Sequence, residues 1–260
     1  MLAKILQAKR EAVDLAKQVR PLEKMMVALK PGEFRFRKAL REKTWSLIAE
    51  CKLASPAKGR LCDRHTVAEL AQIYTRAGAA ALSVLTDAHF CGRLAHIGEV
   101  KQVSRLPVLR KDFVLDAYQL YEARSAGADA VLLIAAILTD EQLRTYLALT
   151  ESLGMDALVE VHTSAELARV QRTSALIVGI NNRDLTRFVT DVNTTLRLMP
   201  ACEQGRVIIS ESGIFTGEDV RRLRKAGVRG ALVGEGLVKA ADIAAKTGEL
   251  AMLNDHEDRK

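Results

Sequence analysis

The sequence predicts an α/β fold, a (β/α)8 barrel with an N-terminal helical extension, and three observations carry that prediction. From residue 45 onward, short aliphatic and β-branched runs alternate with longer amphipathic segments, the pattern of parallel strands joined by crossover helices. Eight strand–helix units of similar size fit into the chain, the number that closes a barrel. The repeat also echoes itself. Ala77-Gly78-Ala79, Ala126-Gly127-Ala128 and Ala226-Gly227-Val228 each end a helical pattern and lead into an apolar run, two and four units apart. Glycine suits that place because it takes φ > 0 after a helix without a Cβ clash. An open, doubly wound sheet shares the alternation, but its early G-x-G-x-x-G is absent.

Residues 1–44 stand outside the repeat. Leu2–Val19 reads as a charged amphipathic helix, and Pro21 and Pro31-Gly32 punctuate a second segment ending near Arg41. Together they form an extension expected to pack on the barrel near one of its mouths. Residues 45–253 form the barrel. Its strands are placed at Trp45–Glu50, Ala81–Leu85, Val108–Lys111, Ala130–Ile134, Ala157–Val161, Leu176–Asn181, Val207–Glu211 and Ala231–Gly234. Helical patterns between them include Val67–Ala77, Ala117–Ala126, Glu141–Leu153, Ala165–Val170 and Glu218–Ala226. The polar stretch 254–260 is expected to fray, and neither a low-complexity linker nor a second domain is indicated.

Composition narrows the function classes. Of 260 residues, 48% are hydrophobic and 27% charged, the profile of a globular chain with a full core. No apolar run approaches the roughly 18 residues of a membrane span. Met1 to Arg20 is charged throughout, so no secretory signal is expected and the cytoplasm is the predicted location. Cys51, Cys62, Cys91 and Cys202 are scattered without a C-x-x-C pair, and the five histidines show no H-E-x-x-H. Reduced thiols are expected, with neither a disulfide scaffold nor a metal site. The net charge of +7 accompanies only 4% aromatics, with acids interspersed among the bases. That favours a basic surface around an anionic small-molecule site over a nucleic-acid partner.

In a parallel barrel the chemistry gathers at the C-terminal strand ends. The first strand ends Glu50-Cys51-Lys52, and alternation puts Glu50 and Lys52 on one face with Cys51 on the other. The third ends Arg110-Lys111-Asp112-Phe113, the fifth carries Val159-Glu160-Val161, and the sixth ends Asn181-Asn182-Arg183-Asp184. The seventh ends Glu211-Ser212-Gly213 and the eighth Gly234-Glu235-Gly236. A single charge at a strand end is ordinarily a solvated rim group. Two lysines and three glutamates converging from four strands must instead pair or shift their pKa values, as acid–base sites do; a structural ion-pair network is the competing explanation. Gly213 and Gly234, on adjacent final strands, are placed to expose backbone N–H groups to a phosphate.

These motifs resemble one family. Ile48-Ala49-Glu50-Cys51-Lys52-Leu53-Ala54-Ser55-Pro56-Ala57-Lys58-Gly59 is similar to the first-strand signature of the indole-3-glycerol phosphate synthases, a phosphate-binding TIM-barrel family. Leu82–Asp87, Leu109–Phe113, Leu132–Leu138, Leu158–His162, Gly179–Leu185 and Ser210–Ile214 match it in order, from about residue 45 to 245. The resemblance implies a carboxy-lyase that closes 1-(2-carboxyphenylamino)-1-deoxyribulose 5-phosphate to indole-3-glycerol phosphate, carbon dioxide and water in tryptophan biosynthesis, without cofactor. It implies Lys111 as general acid, Lys52 as a second cation for the phosphate side or for loss of the hydroxyl, and Glu50 and Glu160 as catalytic carboxylates, one of them the base. Asn181, Glu211 and Ser212 complete the catalytic set. Arg183 is matched to the anthranilate carboxylate. Ser55, Gly213, Gly234 and the backbone of Glu235 are matched to the phosphate, and Phe113 with the Pro56 region to the aromatic ring. The implied partner is a small phosphorylated substrate, with no nucleic acid or membrane and at most weak association with other enzymes of the pathway.

The chain departs from the family at Ala57, where serine is common, at Gly236, and in a compressed loop from His89 to Leu94. Cys51 is expected to face the helices as a packing thiol, and His162 is read as structural. A sister barrel such as phosphoribosylanthranilate isomerase would require a catalytic cysteine and aspartate, for which Cys51 is misplaced. A non-catalytic ligand-binding barrel is the alternative from another class.

Overall fold

The computed structural model describes residues 2–27, 29–184 and 189–253. Two expectations, the frayed end at 254–260 and Leu185 of the sixth-strand motif, lie outside the described residues. Eight strands close into one parallel barrel: β1 (Ser46–Cys51), β2 (Ala81–Leu85), β3 (Val108–Lys111), β4 (Ala130–Ile134), β5 (Asp156–Val161), β6 (Ile177–Asn181), β7 (Val207–Glu211) and β8 (Gly230–Val233). Closure is direct, since β1 pairs in parallel with β2 on one side and with β8 on the other. The open sheet is thereby excluded. Strand limits differ from the sequence expectations by one residue at several ends, where ladder hydrogen bonds rather than hydropathy set the boundary.

The helices begin and stop for local reasons. Thr66, Thr139 and Thr216 form capping boxes with Glu69, Gln142 and Asp219 at the starts of α4 (Val67–Arg76), α7 (Asp140–Ser152) and α10 (Gly217–Lys225), satisfying otherwise orphaned N–H groups. Gly78 follows α4 at φ +89°. The Ala79 N–H reaches Tyr74 O at 3.1 Å and the Gly78 N–H reaches Thr75 O at 3.4 Å, the paired bonds that a left-handed cap allows.

Alternation along each strand sorts the core into two layers. Leu47, Ala49, Leu82, Val84, Val159 and Val161 face the helices, whereas Ile48, Leu109, Leu158 and Ile209 fill the barrel. Cys51 belongs to the outer layer, 2% exposed, and all four cysteines are free thiols. The N-terminal extension closes the barrel at its base and braces its top. Phe36 and Leu40 of α3 (Arg35–Glu42) join the interior cluster, and Arg37 pairs with Asp156 at the start of β5 at 2.7 Å. From α1 (Leu2–Val19), Lys9 reaches past the barrel wall to Asp87 and Asp112, both at 2.7 Å. No helix among the described residues is long and apolar enough to cross a membrane.

Candidate active site

Inward positions on the odd strands carry the chemistry. Two residues above Ile48, Leu109, Leu158 and Ile209 stand Glu50, Lys111, Glu160 and Glu211. Barrel interiors stack in layers of four side chains from alternate strands, usually aliphatic; here the uppermost layer holds three carboxylates and an ammonium. Glu50, Glu160 and Glu211 are buried at 4, 2 and 1% exposure. The intervening strands make room for them. A methyl group at Gly179 of β6 would collide with Glu211 Oε1, and one at Gly234 after β8 would collide with Glu50 Oε1. Gly234, expected only as a phosphate-facing glycine, therefore also clears space for a carboxylate.

Lys111 Nζ lies 3.4 Å from Glu160 Oε2 and 3.5 Å from Glu211 Oε2. Burial alone would lower the pKa of this ammonium, but Glu160, Glu211 and Glu50 hold it above the ordinary lysine value. Glu160 is driven up by burial and then pulled below the carboxylate range by Lys111 and His162. Glu211 moves the other way. Burial and repulsion from Glu160 and Glu50 raise it, against the pull of Lys111, and neither of its oxygens finds a hydrogen-bond partner among the described residues. Glu211 is thus the carboxyl that keeps its proton. Lys52 pairs with Glu50 at 3.4 Å and stands 5.6 Å from the centre of the Phe90 ring.

One cavity is lined by Glu50, Lys52, Lys111, Phe113, Glu160, Asn181, Arg183, Glu211, Ser212, Gly213, Gly234 and Glu235. All the residues expected from the sequence are there except Ser55 and the Pro56 region. Ser55 instead accepts the Lys58 N–H at 3.2 Å and shapes the loop after β1, and Pro56 is exposed. The apolar wall is completed by residues the sequence reading missed: Phe90, Leu132, Ile134, Ile214 and Phe215. Phe90 arrives through the compressed loop, a short 3-10 turn capped by the Asp87 side chain. At the rim, Arg183 Nη2 lies 3.8 Å from Glu235 Oε2, and Lys58 and Lys239 hold Glu235 Oε1 at 2.5 and 2.9 Å. These lysines overcome the effect of burial and bring Glu235 to a pKa of about 2.

Two buried polar networks position the site, and neither was anticipated. Asn182 donates to Ser210 Oγ at 3.0 Å and to Ser212 O at 2.9 Å, and accepts from Thr195. It fixes the turn in which Ser212 and Gly213 both take positive φ, 67° and 76°. Arg110, pointing outward from β3, binds Asp112 at 3.0 Å and Glu122 at 2.8 Å, and Asp112 also receives Lys9. This network clamps the residues on either side of Lys111. His162 is not remote from the chemistry, as a purely structural group would be: its Nε2 lies 3.3 Å from Glu160 Oε1. Among the described residues, no three His, Cys, Asp or Glu side chains are gathered as a metal-ligand set.

Comparison with known proteins agrees with this geometry. Residues 2–250 match the family model described as indole-3-glycerol phosphate synthase. An indole-3-glycerol phosphate synthase of Desulforamulus reducens is 50% identical, covering 97% of each chain. One of Carboxydothermus hydrogenoformans is 44% identical over 93% of this chain and 96% of its own. A solved 3-hexulose-6-phosphate synthase from Salmonella typhimurium superposes with TM-score 0.65 at 13% identity, covering 80% of this chain and 97% of its own, a likeness of fold alone. With the family model spanning nearly the whole chain and relatives of this identity, the chain belongs to the indole-3-glycerol phosphate synthase family.

Proposed function

We propose that this mouth closes the indole ring of 1-(2-carboxyphenylamino)-1-deoxyribulose 5-phosphate, releasing carbon dioxide and water. The observation that carries the proposal is the Lys111 ammonium, buried and held charged chiefly by Glu160 at 3.4 Å. The ketone must become electrophilic before the aromatic carbon bearing the carboxylate can attack it. Lys111 donates its proton to the ketone oxygen as the carbon–carbon bond forms, and carbon dioxide leaves to restore aromaticity. The resulting hydroxyl is then expelled as water with loss of a ring proton. Lys52, paired with Glu50 at 3.4 Å beside the end of β1, assists departure of that hydroxyl. The proton goes to the carboxylate pair Glu50 and Glu160, which also stabilises the positive charge developing on the aniline nitrogen.

Asn181 and Arg183 orient the substrate at the end of β6, with Arg183 toward its carboxylate. Ser212, Gly213, Gly234 and the backbone of Glu235 face the phosphate, where the strained Ser212–Gly213 turn and the start of the helix Glu235–Val238 present N–H groups. Phe90 and Phe113 flank the anthranilate ring. The outward-facing Cys51, its thiol pushed up by burial, offers nothing to an isomerase that relies on a cysteine. The reaction calls for a cytoplasmic enzyme, associating at most weakly with others of the tryptophan pathway. The test is direct: supply the carboxyphenylamino substrate and follow indole fluorescence. Wild-type protein turns it over, and Lys111→Ala loses about 10²- to 10⁴-fold in kcat with an unchanged circular dichroism spectrum. Near-normal turnover by that variant would overturn the assignment of the acid.

A further inference from the structure

We propose that His162 is a positioning residue for Glu160, orienting that carboxylate through an ion pair relayed from the N-terminus of the helix after β5. The inference rests on the reading that Glu160 serves ring closure. His162 directly follows β5, and its side chain is 10% exposed. Its backbone N–H donates to Glu166 Oε2 at 2.8 Å, and its Nδ1 lies 3.3 Å from the same oxygen. Glu166 is itself fixed, as the third residue of α8 (Ser164–Gln171), whose Thr163 cap accepts the Glu166 N–H at 3.2 Å. Backbone, helix cap and Glu166 therefore hold the imidazole in place. From there Nε2 reaches Glu160 Oε1 at 3.3 Å, out of line for a directed hydrogen bond, so charge rather than geometry carries the contact. Glu160 keeps its other oxygen for Lys111.

The ring stands 3.3 Å from a carboxylate on each side, and the field of the two anions stabilises its charged, doubly protonated form. Burial would neutralise the ring, but Glu160 and Glu166 raise its pKa to about 10. The groups facing it are Glu160 on β5 and Glu166 on α8, with Lys111 of β3, Asn181 of β6 and Glu211 of β7 beyond Glu160. The imidazolium has a definite consequence. Glu160 and Glu211 share Lys111, and two carboxyls so placed compete for one proton. His162 stands against Glu160, so the proton resides on Glu211 and Glu160 remains the anion.

The test uses the full chain in two ways. In unliganded protein, ¹⁵N shifts of the His162 ring at pH 8 should be those of an imidazolium, and the Glu160 carboxyl ¹³C should titrate at higher pH in His162→Gln than in wild type. In kinetics, His162→Gln should lose about tenfold or more in kcat with KM little changed. The acid limb of its kcat/KM profile should move up by on the order of one pH unit. Glu166→Gln, which leaves the ring in place, should move that limb in the same direction by less. A neutral His162 ring at pH 7, or an unmoved acid limb in a folded His162→Gln, overturns the proposal. If wild-type protein makes no indole product, the ring-closure reading fails, while the ¹⁵N and ¹³C titrations still decide whether His162 governs Glu160.

Discussion

Glu211→Gln isolates the least ordinary group in the barrel. The wild-type carboxyl is 1% exposed, neither oxygen has a hydrogen-bond partner among the described residues, and Gly179 leaves space for it. Its pKa is raised above the ordinary 4.5 by burial and by Glu160 and Glu50. A carboxyl raised on folding leaves stability intact below the unfolded value. It then costs about 1.4 kcal/mol for each pH unit between that value and the folded one, because the unfolded chain ionises first. Glutamine has the same shape and no proton to lose, so this cost vanishes. The variant should therefore differ least from wild type near pH 5 and exceed it by on the order of 4 kcal/mol near pH 8, roughly ten degrees in Tm. Urea unfolding followed by far-ultraviolet circular dichroism at pH 5, 6.5 and 8 reads this out. Glu160→Gln supplies the opposite sign. Glu160 is depressed on folding, so its contribution is present above pH 4.5 and lost as pH falls through the folded value, and the substitution should destabilise at pH 7. Parallel pH dependences for wild type and Glu211→Gln, or a gap that narrows as pH rises, would refute the assignment of the proton to Glu211.

Two further substitutions test how the site is held. Gly234→Ala drives a methyl group into Glu50 Oε1, and displacing that carboxylate by about an ångström should cost on the order of 10²-fold in kcat; Gly98→Ala, where nothing described lies within 4 Å of the added carbon, should leave kcat unchanged and serve as the control. Lys9→Met removes the cation shared by Asp87 and Asp112 at 2.7 Å each, leaving buried Asp87 without its lysine and Asp112 to Arg110, and should lower unfolding free energy by about 3–5 kcal/mol, measured by urea denaturation at pH 7; a loss below about 1 kcal/mol would show that the remaining partners suffice for both aspartates.

The sequence was most legible where periodicity operates. Alternation along a strand identifies Glu50, Lys111, Glu160 and Glu211 as inward groups, because Ile48, Leu109, Leu158 and Ile209 two positions earlier must fill the barrel. It also sends Cys51 outward. The same rule fails one residue past a strand end, which is why His162 passed for a structural group. Loops have no period, so the sequence alone could not show that Ser55 and Pro56, adjacent to a matched strand, stand outside the cavity lining, or that Phe90 enters it from a non-periodic turn. The networks of Lys9–Asp87–Asp112 and Asn182–Ser210–Thr195 join elements far apart in the chain. Nothing local marks one lysine of an amphipathic helix as the partner of two distant aspartates.

The distribution of charge explains how a buried layer rich in carboxylates can receive an anionic substrate. Each of the three glutamates is accommodated differently: Glu50 by Lys52, Glu160 by Lys111 and His162, and Glu211 by retaining its proton. With Glu211 neutral, Glu50 and Glu160 face the ammonium groups of Lys52 and Lys111, and the His162 imidazolium is balanced by Glu166, so the floor of the mouth carries no net negative charge. At the rim a single anion, Glu235, is surrounded by Lys58, Lys239 and Arg183, and that region is net positive. Between them lie the apolar faces of Phe90, Phe113, Leu132 and Ile134. Fields of a low-dielectric cleft persist where surface charges would be screened. A molecule bearing a carboxylate beside an aromatic ring at one end and a phosphate at the other meets attraction at the rim, no net repulsion at the floor and desolvation in the middle. Were Glu211 ionised, the floor would turn net negative, which is why the placement of one proton matters to binding as much as to stability.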